Sequence, residues 1–535
     1  MRSFEPGRPF LISVHQRRLA VSSFCTGTMI FGFQPEHTRS HQSLCLRKGK
    51  WRVHPFEQMR TIRYASAMTS DSSEPTQRPD HPRDHSGDSL GRIVGELLTV
   101  AIPLMVSAGT FSLVLFADRT LLLWYDGASM GAAMAGGNFF WVAICLPVGI
   151  ASMTGAIISQ YVGAGEDHRI GRFLWQSVWL ALLSVPLFGL IAYLAPTLFR
   201  LCEQPESLIA AEATYLRWLL VGAVGAVLEN ALSGFFSGTE RTRIIMWVSL
   251  ISGLINILLD VVLIFGLGPI PDLGIAGAGI ASSVAFWFKA ICFAVLILKY
   301  DSGGRYQVKS SFGFSQLLVK KLLFYGFPSG LMFLTESAGF TAIVLRIGRL
   351  GDIPLRATTM AINFNMVAFI PLVGVSIAAS VLVGRHLVET GPKRAIKSVY
   401  AALGIGWIYS VVWCVGYLFL PDLMMDLYKL DTPSAESAEA ITIARGLLKF
   451  VAIYVVVDAT QLIIAGALRG AGDTWFVLGT GLVTSVVAFT IGVGFEPVDN
   501  RLNWWWWMIT LWVWMLATFM AARFVRGKWK EMRMV

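Results

Sequence analysis

Residues 134–161 read MAGGNFFWVAICLPVGIASMTGAIISQY, a run without Asp, Glu, Lys or Arg. As a helix rising about 1.5 Å per residue, this stretch exceeds the roughly 30 Å hydrocarbon core of a bilayer. Outward from it, similar apolar windows fall near 96–124, 172–199, 208–236, 243–267 and 274–299. A second set follows near 316–347, 356–384, 396–420, 436–468, 474–495 and 503–524. Twelve windows predict an all-α integral membrane protein. Composition agrees: of 535 residues 55% are hydrophobic and 15% charged, the mean hydropathy is +0.60, and soluble domains carry roughly 25% charged residues. A soluble enzyme, a coiled coil, a disordered binder and a secreted disulfide scaffold are excluded.

The net charge of +10 would suit a polyanionic partner, but its distribution argues otherwise. Residues 1–67 hold 11 Lys/Arg against 3 Asp/Glu, leaving the remainder nearly neutral, so no nucleic-acid partner is expected. Residues 1–90 also hold six of the eight histidines and no apolar run of spanning length. They read as a basic, disordered leader or as sequence upstream of a true start at Met68. The six cysteines (Cys25, Cys45, Cys145, Cys202, Cys292, Cys414) show no CxxC spacing and read as packing residues.

Orientation follows from the basic residues in the connections. Even-numbered loops hold Arg169, Arg172, Arg241, Arg243, Lys299, Arg305, Lys309, Lys320, Lys321, Arg385, Lys393, Arg394, Lys397 and Arg469. Odd-numbered loops hold only Arg200, Arg349, Arg356, Lys429 and Arg501, with acids such as Asp422 and Asp431. Both termini are therefore expected in the cytoplasm. Trp504 to Trp507 fit an aromatic anchor at the outer interface.

The chain repeats itself. Gly149 and Pro196 stand 47 residues apart, as do Gly374 and Pro421, and Gly234-x3-Gly238-x3-Thr242 returns as Gly466-x3-Gly470-x3-Thr474. These spacings map spans 1–6 onto 7–12. Six spans is an even number, so the halves share one orientation and are related by a pseudo-two-fold along the membrane normal. The expected organisation is an N-terminal six-helix lobe over 91–300, a cytoplasmic linker over 301–313, and a C-terminal six-helix lobe over 314–535, with a cleft between the lobes.

Carboxylates inside spans carry the most information, since an ionised residue at a helix centre costs about 2.5–3.5 kcal/mol on insertion scales. Five qualify: Asp118, Glu229, Asp260, Glu336 and Asp458. The competing structural reading is a plain ion pair, with Arg119, Lys289 and Arg346 as the basic residues within spans. Asn256 and Asp260 lie four apart, so one helix face carries an amide oxygen and a carboxylate about 6 Å apart along the axis, donors that suit Na⁺. Glu336 follows Pro328, and Asp118 follows Pro103, which permits bends between proline and acid. Beyond the leader only His168 and His386 remain, and no GxxxxGK[ST] occurs. Neither enzymatic catalysis, a resident metal or cofactor, nor ATP as fuel is expected.

These residues resemble the multidrug and toxic compound extrusion (MATE) transporters, NorM-like branch, over about 91–525. The strongest piece is DATQLIIAGALRGAGDT over 458–474, supported by FPSG over 327–330 leading to Glu336, INILLD over 255–260 and LGIAGAGIASS over 273–283. The resemblance implies that Glu336 and Asp458 line a cation site of the C-terminal lobe. It implies that Asp118, Asn256 and Asp260, with Ser282 as a weaker match, form an N-terminal counterpart. It also implies a monomeric inner-membrane antiporter of organic cations and amphiphilic drugs, surrounded by lipid, with Glu336, Asp458 and Asp118 binding substrate and Na⁺ or H⁺ as the coupling ion. The first-span motif departs from the family: Ala117-Asp118-Arg119-Thr120 puts an arginine beside the acid, and neutralisation by Arg119 would leave the C-terminal pair as the working site. The alternatives are a flippase for a lipid-linked anionic cargo, which calls for several cationic residues inside the spans of both lobes, and a non-transporting receptor or structural protein.

Overall fold

The computed structural model describes residues 90–202, 204–266, 271–426 and 435–535. The leader up to residue 89, and Lys429 and Asp431 of the orientation argument, lie outside the described residues.

Every regular element among the described residues is helical. The first half comprises α1 (Leu90–Tyr125), α2 (Gly127–Ala164), α3 (Ile170–Leu183), α4 (Val185–Leu201), α5 (Glu206–Gly238), α6 (Thr242–Phe265) and α7 (Ile275–Tyr300). The second comprises α8 (Gln316–Gly348), α9 (Asp352–Glu389), α10 (Pro392–Phe419), α11 (Pro421–Asp426), α12 (Ala435–Ala471), α13 (Thr474–Gly494) and α14 (Arg501–Arg526). α3 and α4 together form one span, giving twelve membrane-length helices. Local sequence sets the breaks. Asp126 caps α2 by accepting from the Ser129 backbone N–H at 3.0 Å, and Gly165 ends that helix at φ 72°, where a glycine costs least.

Two six-helix bundles result, and their packing repeats. α2 packs on α5 as α9 packs on α12, α1 on α6 as α8 on α13, and α5 on α7 as α12 on α14. The repeated glycines explain why. Gly234 of α5 lies against Thr154 and Gly155 of α2, and Gly466 and Gly470 of α12 lie against Ser376 and Ser380 of α9, so in both bundles a side chain would separate the backbones. The bundles meet in the same mirrored way. Gly149 of α2 abuts Gly330 of α8, while Gly374 of α9 abuts Met105 of α1.

The interbundle polar contacts gather at the end of the molecule where α1 starts and α14 finishes. There Arg385 pairs with Glu240 at 2.6 Å, Arg394 with Glu96 at 3.2 Å, and Gln160 donates to the Gly470 carbonyl at 2.9 Å. The C-terminal tail adds a bond from the Met534 backbone N–H to Gln160 Oε1 at 2.7 Å. Toward the other end α1 and α8 bury little of their length. Between Leu104 and Leu121 the buried set of α1 holds only Asp118, and between Met332 and Ile343 that of α8 is empty.

Two members of the tryptophan run face protein rather than the surroundings of the helix bundle. Trp505 and Trp506 are fully buried, their indoles donating to Glu496 at 3.2 Å and Thr358 at 3.3 Å, and Trp507 alone of the four is exposed. Helical spacing turns consecutive residues to different faces, and the middle two face the second bundle's core.

Candidate functional site

The first bundle brings four sequence-predicted residues into one cluster. Asp118 of α1, Asn256 and Asp260 of α6 and Ser282 of α7 are all buried. Ser282 Oγ donates to Asp118 Oδ2 at 3.2 Å. The Asn256 amide nitrogen, oriented by its neighbours, donates to Asp118 Oδ1 at 3.1 Å and Asp260 Oδ2 at 3.2 Å, while its oxygen accepts from the Ser282 backbone N–H at 3.2 Å. In this arrangement the Asn256 nitrogen, rather than its oxygen, faces Asp260 and ties the two carboxylates together. Asp260 Oδ1 is buried without a donor among the described residues.

Arg119 makes no contact pair with this cluster, although its charge is felt at Asp118. Its side chain is exposed, and it forms no ion pair with Asp118 among the described residues. Successive helical residues diverge by about 100°, so an adjacent arginine need not share the acid's face.

The second bundle places Glu336 on α8 and Asp458 on α12. Asp458 is 7% exposed and accepts from Gln461 Nε2 at 3.1 Å. Glu336 is half-buried and senses the charges of both Asp458 and Arg469. Arg469, read from sequence as a loop cation, lies inside α12 and donates to Ser376 Oγ at 3.2 Å. Neither Glu336 nor Asp458 has an ion-pair partner within contact distance among the described residues. Gln461 and Arg469 were both visible in the 458–474 motif; their bearing on Asp458 and Glu336 depends on helix rotation and on α8.

Glu229 is structural. Lys289 pairs with it at 2.8 Å across α5 and α7. Arg346 is likewise engaged, by Glu496 at 3.1 Å. Three further cations that the sequence reading passed over, Arg217 of α5 and Arg445 and Lys449 of α12, also lie inside spanning helices. Arg217 donates to the Ala192 carbonyl at 3.1 Å, which Pro196 four residues on cannot serve. Arg445 pairs with Asp422 at 3.0 Å. An apolar groove of about 240 Å³, lined by Leu174, Trp175, Leu228, Leu232 and Trp287 among others, is remote in kind from these sites and holds none of the four clustered acids.

Fold and site together define a class: a two-bundle, twelve-helix membrane protein with carboxylates held inside each bundle. The chain belongs to the MatE family, whose model matches residues 103–262 and 328–494. It is 27% identical over 448 residues to the multidrug resistance protein NorM of Burkholderia vietnamiensis, covering 82% of this chain and 94% of that protein. It is 29% identical over 382 residues to the multidrug resistance protein PmpM of Pseudomonas aeruginosa, covering 71% and 79%. Its fold matches the crystal structure of the eukaryotic MATE transporter AtDTX14 with a TM-score of 0.72 at 20% identity, over 83% of this chain and 98% of that one.

Proposed function

We propose that this chain is a multidrug exporter of the inner membrane that moves organic cations and amphiphilic drugs outward in exchange for Na⁺ or protons. The carrying observation is that Glu336 and Asp458 in one bundle, and Asp118 and Asp260 in the other, lie inside spanning helices without an ion-pair partner among the described residues. Unpaired carboxylates there are costly, and mobile cations relieve that cost. With both termini in the cytoplasm, the bundles are closed inward and open outward, and a drug cation and the coupling ion take turns on the same acids. Each then lowers the other's affinity by one common factor. The kinship to proteins named for multidrug resistance supports the substrate class.

An anionic lipid-linked cargo finds less support. Lys289, Arg346 and Arg445 are held by acids and Arg217 by a backbone carbonyl, Arg119 and Lys449 are exposed, and the half-buried Arg469 beside the second bundle's site is bonded to Ser376. Ethidium accumulation in cells expressing the protein tests the reading. Reduced accumulation that rises when the Na⁺ gradient is removed selects Na⁺; loss only with the proton gradient selects H⁺. Accumulation unaffected by expression refutes drug export.

A further inference from the structure

Glu212 of α5 has no part in the clusters above, yet it is 1% exposed, its Oε2 has no hydrogen-bond partner, and no ion pair reaches it among the described residues. Its surroundings connect it to the first bundle's acids. Tyr215 follows three residues later on the same helix face and is 6% exposed. The Tyr215 ring lies between two glycines: a side chain on Gly136 of α2 would strike one edge, and Gly279 of α7 stands within ordinary contact of the other. Gly279 stands one turn from Ser282, whose hydroxyl holds Asp118 at 3.2 Å, and Tyr215 lies within electrostatic reach of Asp118 and Asp260. Helix rise puts these groups in one layer. Glu212 is about 9 Å along α5 from its start, Ser282 about 10 Å along α7, and Asp118 about 10 Å from the end of α1, all measured from the open end.

We propose that Glu212 is a further cation-binding carboxylate of the first bundle, holding a proton or Na⁺ that exchanges with the Asp118–Asp260 cluster past Tyr215. A buried carboxylate with no fixed donor is tolerated when a mobile cation satisfies it. The Glu212 backbone carbonyl lies against Gly136 of α2, a helix without Lys or Arg; on the other helices around it Arg217 of α5 is engaged at Ala192, Arg200 of α4 by Glu206 and Lys289 of α7 by Glu229.

The inference deepens the exchanger reading and rests on it, so its test has one arm that needs no transport. In purified wild-type protein, carbodiimide labelling of Glu212 is read by peptide mass across a pH series, with and without Na⁺. Labelling that falls with Na⁺ identifies Na⁺ at this site, and labelling that changes with pH alone identifies the proton. A Glu212 that is unlabelled, or labelled equally under all conditions, overturns the proposal even if export is normal. In proteoliposomes, Glu212→Gln should raise the cation concentration for half-maximal ethidium efflux about fivefold or more, with Tyr215→Phe shifting it the same way and Glu206→Gln, at an exposed ion pair with Arg200, leaving it unchanged. Wild-type cation dependence in Glu212→Gln contradicts the proposal. Wild-type protein that moves no ethidium under any gradient refutes the exporter reading and leaves the labelling arm to decide Glu212.

Discussion

The two bundles share a fold plan and carry different acid sites. In the first, Asp118 and Asp260 are bound to each other through one amide and braced by Ser282. In the second, Glu336 and Asp458 share no hydrogen bond; Gln461 serves one, and Arg469 lends its charge to the other. Their depths also differ, because Asp118 comes 15 residues after Pro103 whereas Glu336 comes 8 after the equivalent Pro328, an offset of about 10 Å along related helices. Symmetric scaffolding thus does not impose symmetric chemistry. The first site is preorganised and without a buried basic neighbour; the second is looser and holds a tethered cation that a mobile one must compete with.

The largest predicted contrast is between double neutralisations. Glu336→Gln with Asp458→Asn should reduce gradient-driven ethidium efflux at least about 100-fold, because each acid is worth several kcal/mol to a bound cation in a low-dielectric site. Asp118→Asn with Asp260→Asn should lower efflux about tenfold and leave it gradient-dependent. Equal losses would erase the distinction between the bundles. Folding is checked in both by size-exclusion profile.

A smaller effect is expected from Arg469→Gln. Removing a positive charge near Glu336 should tighten coupling-cation binding there by about 1–2 kcal/mol, measured as a lower half-saturating cation concentration and slower turnover. An unchanged affinity would remove Arg469 from the site's electrostatics. The smallest effect belongs to Ser282→Ala, which deletes one hydrogen bond to Asp118. A net cost of about 0.5–1.5 kcal/mol corresponds to a few-fold shift in cation dependence, with no change in drug affinity at saturating cation.

Much of this was legible before any coordinates. The repeated spacings of Gly149 with Gly374 and Gly234 with Gly466 disclosed the two halves, while the role of Gly149 and Gly374 as backbone contacts between α2 and α8 and between α9 and α1 needed the fold. Asn256 and Asp260 at four-residue spacing announced a shared face. What depends on helix rotation or on a partner helix was not legible. The burial of Trp505 and Trp506, the outward turn of Arg119, the Glu229–Lys289 pair and the inward reach of Arg469 all required knowing which face meets which neighbour. Glu212 escaped notice because it stands near a span's start, where an acid usually meets water.

Competition at Glu336 and Asp458 is tested most directly by equilibrium binding of ethidium to the purified protein while Na⁺ and, separately, proton concentration are varied. One of the two ions should weaken ethidium binding, ethidium should weaken that ion's binding by the same factor, and the effect should be strongly reduced in the Glu336→Gln, Asp458→Asn double variant. Ethidium affinity indifferent to both ions, or competition that survives the double variant undiminished, would contradict it.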